Sequence, residues 1–151
     1  MKGVMKIISA ACIVSLLTAC ISQITTKNSL ISSVYVAKQS EVVDAFVKVV
    51  HGMENYSINF KTGDVAIVKY NPPGLFMGSA SVRVNFAIAS GMTSDGQNVT
   101  GTELVYTDVT PLMSQDTTFS GADIIVRLKS SFDEYMEFEG VKQYRIQRLT
   151  E

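Results

Sequence analysis

Side chains able to do chemistry are few in this chain and widely spaced: one histidine, two cysteines and no tryptophan in 151 residues. A hydrolytic triad would need His51 beside a serine and a carboxylate, and a zinc centre would need nitrogen and sulfur ligands that the sequence does not supply. His51 falls instead at the end of an expected helix, where an imidazole complements the negative end of the dipole. Asp133, Glu134, Glu137 and Glu139 form an acidic run without the spacing of a calcium-binding loop, and they suit a solvated helix face. Asp95-Gly96-Gln97-Asn98 is what a hairpin turn requires, and Gly91, Gly96 and Gly101 are spaced like turn punctuation, not like a phosphate cradle. With no general base of suitable character, neither an enzyme nor a metal or small-molecule cofactor is expected. The residue whose surroundings do point to chemistry is the thiol of Cys20.

Two lysines, Lys2 and Lys6, precede an apolar run from Ile7 to Leu17 that ends at the small residues Thr18 and Ala19. Basic, apolar, small is the layout of a secretory signal, residues 1–19. As a helix, the run of eleven residues would extend only about 16 Å, well short of the roughly 30 Å hydrocarbon layer, so a permanent span is the weaker reading. Leu17-Thr18-Ala19-Cys20 resembles the lipobox of bacterial lipoproteins. The resemblance implies that the Cys20 sulfur receives a diacylglyceryl group and that the signal is cut just before it, so the implied covalent group is lipid on Cys20. Two or three acyl chains make release from a membrane negligible. Ile21 stands where an aspartate would resemble an inner-membrane retention signal. The expected address is therefore the outer membrane, facing the periplasm, ahead of the inner membrane.

Cleavage before Cys20 leaves residues 20–151, enough for one hydrophobic core and not for two domains of ordinary size. The formal charge falls from −1 to −3 once Lys2 and Lys6 leave with the signal, so no broad basic surface remains and nucleic acid is not expected as a partner. Cys12 is discarded and Cys20 is acylated on this reading, so no disulfide forms and stability must come from packing.

Residues 20–32, Ser- and Thr-rich after the cysteine, read as a tether of up to about 40 Å. Residues 33–151 read as a single domain. Ser33 to Ala37 suits a short strand, and Ser40 an N-cap with Glu41 in the first turn of a helix. Val43, Phe46, Val47 and Val50 line one helical face, Asp44 and Lys48 form an i, i+4 pair, and Gly52 suits the left-handed residue past the end. Tyr56, Ile58 and Phe60 alternate into Thr62-Gly63 and a second strand from Asp64 to Tyr70, a hairpin. Ser79 to Ala89 alternates with Val82, Val84, Phe86 and Ile88 on one side, Thr93 to Asn98 turns, and Thr102 to Val109 forms a further strand. From Ser120 two periods compete; the Ser120 cap, Asp123 and the stripe Ile125, Leu128, Phe132, Tyr135, Met136 favour a helix. Val141 to Leu149 suits a last strand on an edge of the sheet.

The order β-α-β-β-β-β-α-β implies an α+β fold in which two helices pack on one face of an antiparallel sheet. In that order the body resembles the helix-grip or TATA-binding-protein-like modules of outer-membrane lipoproteins such as BamC, a likeness of topology alone. Between two strands, Asn71-Pro72-Pro73-Gly74-Leu75-Phe76-Met77-Gly78 sets three large apolar residues among turn formers. Projecting outward, Leu75, Phe76 and Met77 would make a partner-docking spot; folded back, they would be core. The sequence thus points to a non-enzymatic envelope lipoprotein, an accessory or scaffold in an outer-membrane or secretion assembly, held to the membrane by lipid and contacting another envelope protein. A carrier of a lipid-like small molecule, enclosing a cavity of several hundred Å³, and a phage- or plasmid-borne exclusion lipoprotein are the alternatives.

Overall fold

A computed structural model describes residues 31–74, 78–111 and 120–148. The chain runs β1 (Ile31–Tyr35), α1 (Gln39–Gly52), β2 (Tyr56–Lys61), β3 (Val65–Tyr70), β4 (Ala80–Met92), β5 (Asn98–Asp108), α2 (Gly121–Phe138) and β6 (Gln143–Arg148). The six strands form one antiparallel sheet in the order β2-β3-β4-β5-β1-β6. Both helices lie on one face of it. The expected α+β architecture and element order hold.

Each helix follows from its apolar stripe. Val42, Val43, Phe46 and Val50 of α1 are buried, a face turned slightly toward Val42 from the expected one. Ile124, Ile125, Leu128, Phe132 and Met136 of α2 are buried, so the helical period wins over the competing alternation of Ile124, Val126 and Leu128; Val126 is left exposed. The two stripes meet over the sheet in a chain of edge-on rings: Tyr35 to Phe132 at 5.1 Å, Phe132 to Phe46 at 5.6 Å, Phe46 to Phe86 at 5.4 Å. Ser120 caps α2 as expected, its hydroxyl accepting from the Asp123 N–H while the Asp123 carboxylate accepts from the Ser120 N–H. Gly121 opens the helix because Asp108, at the end of β5, packs against it: a Cβ there would stand 2.0 Å from the Asp108 carboxyl.

Several local expectations need correction. Helix α1 starts after Lys38, not Ser40, because Glu41 reaches back to the Lys38 N–H (3.2 Å) and closes the first turn two residues earlier. Gly52 is the last helical residue; the left-handed position is Asn55, φ 68°, in the turn into β2. Asp44 pairs with Lys61 of β2 at 3.4 Å. Val82, Val84 and Phe86 are buried under the helices, but Ile88 lies beyond their reach and is 69% exposed.

The sheet also coils further than its strand order suggests. Gly91 and Met92, at the tip of β4, pair with Arg148 and Gln147 of β6, so β4, β5, β1 and β6 close on themselves. Strand β6 is therefore not a plain edge. On the face away from the helices this ring encloses a second apolar centre of Val34 and Ile146, both fully buried. Gly91 and Gly101 make the closure possible, since a Cβ on either would stand 2.4 Å from a backbone carbonyl oxygen, of Gln147 and Tyr35 respectively. They are crossing points, not turn punctuation; of the three glycines only Gly96, φ 82°, sits in the turn.

Candidate functional site

Strands β1 and β5 pair only at Val34–Glu103 and Tyr35–Thr102, after which they part. A cleft of about 170 Å³ opens between them, walled by Ile125 and Lys129 of α2 and by Gln143 of β6. Three of the residues that line it, Tyr35, Lys129 and Gln143, converge on the carboxylate of Asp133, which is not itself part of the lining. The Tyr35 hydroxyl donates to the carboxylate, Lys129 Nζ donates from 2.6 Å and Gln143 Nε2 from 3.4 Å. Asp133 thus leaves the acidic run in which the sequence placed it; one turn of helix turns it toward the sheet.

Burial raises the Tyr35 pKa well above the ordinary phenol value, and the hydrogen bond to Asp133 and the charge of that carboxylate push it further. Tyr106, also on the cleft, is raised by burial first and then by the Asp133 charge. Its hydroxyl is buried without a hydrogen-bond partner. Both phenols stay neutral across the physiological range; the Tyr35 proton is already given to Asp133 in a hydrogen bond, and the Tyr106 hydroxyl is buried.

On the opposite face, Glu103 is buried in the ring of strands and paired with Arg148, whose Nε also donates to Ser32 Oγ at 2.8 Å. This group ties β5, β6 and β1 together. A second cleft, about 290 Å³, lies between α1 and the last turns of α2, lined by Ala45, Lys48, Tyr135 and Met136.

Cys20 and Leu75, Phe76 and Met77 lie outside the described residues. The near end of the apolar loop is fixed, with the Asn71 N–H donating to Asn55 O at 2.9 Å and Pro72 buried. His51 is exposed at the end of α1, where the sequence places it. Among the described residues no group of His, Cys, Asp and Glu could hold a metal ion, and no helix is long and apolar enough to cross a membrane. The sequence reading missed Tyr35, Tyr106, Glu103 and Arg148, which come together only through strand pairing; the i, i+4 spacing of Lys129 and Asp133 was the one local signal. Comparison with protein-family models, curated proteins and solved structures finds no match to this chain.

Proposed function

We propose that the protein is an outer-membrane lipoprotein, anchored through acylated Cys20 and facing the periplasm, whose single α+β body serves as a non-enzymatic accessory or scaffold for an envelope assembly. The observation that carries the reading is Leu17-Thr18-Ala19-Cys20 directly behind a basic and apolar leader. Ile31 already stands in β1, so the body hangs on the eleven Cα steps from Cys20, a reach of at most about 40 Å. The hydrogen-bonded cleft beside Asp133 and the neutral phenols suit recognition better than acid–base work.

Two experiments test it. Intact mass of the processed protein should show a chain starting at Cys20 and carrying diacylglyceryl, and Cys20→Ser should release the protein from the membrane fraction; a free thiol or an intact leader overturns the anchor. Crosslinking in cells followed by identification of co-purified proteins should recover an envelope protein, and recovery of the monomer alone argues against a scaffold.

A further inference from the structure

The tip of the sheet carries apolar side chains that the helices do not cover, and they share one face. Directly opposed residues of an antiparallel pair project to the same side. Gln147 is opposed both to Ile31 and to Met92, which places Ile31, Gln147 and Met92 in one row on the outer surface of the closed ring. Ile88 is on the same side of β4 as Met92, four residues back. Ile88 is 69%, Ile31 50% and Met92 42% exposed. On this same face Arg145 is exposed, opposed to Ser33, whereas Glu103 and Arg148 point into the ring and neutralise each other. The nearby turn carboxylate, Asp95, accepts from the Thr93 hydroxyl.

The position of this row identifies its occupant. Ile31 is the residue at which the chain from Cys20 enters the sheet, so on the lipid-anchor reading, on which the inference rests, this is the end of the body tied to the bilayer by the shortest path. We infer that the outer face of the β4–β6 tip, with Ile88 and Met92 at its centre, rests on the phospholipid surface. A covalent anchor holds the domain close at no further cost in translational freedom, so two or three apolar side chains and one arginine suffice to orient it where they would never bind a free domain. The cleft that Ile31 also lines opens on this same face of the sheet, beside the contact.

The test uses the whole acylated protein in phosphatidylcholine vesicles containing phosphatidylglycerol. Ile88→Cys, Met92→Cys and, as the reference on the outer side of α2, Val126→Cys each carry one environment-sensitive fluorophore; all three sites are exposed, so the fold is not at stake. The label at 88 or 92 should be blue-shifted and at least threefold less quenched by iodide than the label at 126, and quenched by a lipid bearing a shallow nitroxide. Equal iodide quenching at 88, 92 and 126 in protein whose mass shows acylation overturns the contact and leaves the anchor standing. Protein that proves unacylated and does not float with vesicles overturns both. Shielding at 88 that persists without lipid assigns the face to a second copy and also overturns the inference.

Discussion

At the level of single residues, the buried polar groups set the sharpest expectations. Glu103 keeps only 9% of its side chain exposed, and Arg148, at 31%, is its counter-charge. A buried pair contributes little net stability, but removing one member leaves an uncompensated charge. Arg148→Met should therefore lower stability by about 3 kcal/mol, and Glu103→Leu added to it should restore most of that loss. Urea midpoints of the two variants and of the double variant check the cycle; a single-variant loss below about 0.5 kcal/mol would mean that the pair behaves as an exposed one. Tyr106 is the opposite case. Its hydroxyl was desolvated without gaining a partner, so Tyr106→Phe should raise stability by about 1 kcal/mol, while Tyr35→Phe, which removes a donor to Asp133, should lower it by a similar amount. Equal effects of the two substitutions would show that the Tyr106 hydroxyl is satisfied in solution.

At the level of elements, α2 shows how far sequence could lead. Its residues Ile124 to Leu128 fit both periods, and what decides is local chemistry at the cap: Ser120 and Asp123 exchange hydrogen bonds across the first turn. Such caps are legible because both partners lie within one turn. The same holds for the stripe of α1 and for the Thr62-Gly63 hairpin. The closure of β4 onto β6 was not legible, because Gly91 and Gly101 have the same composition as turn glycines and only their crossing partners, Gln147 and Tyr35, reveal the role. The Asp133 group was hidden for the same reason, since Tyr35 is 98 residues away. Hydrogen bonds from Ser120, side chain first and backbone second, hold the Asp123 carboxyl below its ordinary range. A depressed carboxyl stabilises the fold above its unfolded pKa and loses that contribution as pH falls through the folded value. Helix α2 should thus begin to weaken below about pH 4, and Ser120→Ala should lower the melting temperature at pH 7 and lower it progressively less in acid. Thermal melts of the two proteins across pH 2 to 7 measure this; a difference independent of pH would show that the cap does not depend on the carboxylate.

For the whole molecule, stability at high pH depends on how the helix layer covers the sheet. Tyr35 and Tyr106 stand under α2 with pKa values pushed far upward, by burial before any charge, and Tyr56 is raised in the same direction by burial although Arg127 opposes it. A group whose folded pKa lies above its unfolded one lends stability that is complete below the unfolded value and is lost as pH rises through the folded value. An unfolded tyrosine ionises near pH 10, so from there upward the unfolded chain releases protons that the folded chain retains. Ionisation and unfolding must then coincide. The chain has six tyrosines and no tryptophan, which makes phenolate absorbance near 295 nm a clean probe. Above pH 10 that absorbance should stall short of its six-tyrosine plateau and reach it only in the step that abolishes the far-ultraviolet helix signal. Full titration while the helix signal is intact would mean that water reaches Tyr35 and Tyr106 in the native state, and that the helix layer opens on the timescale of the measurement.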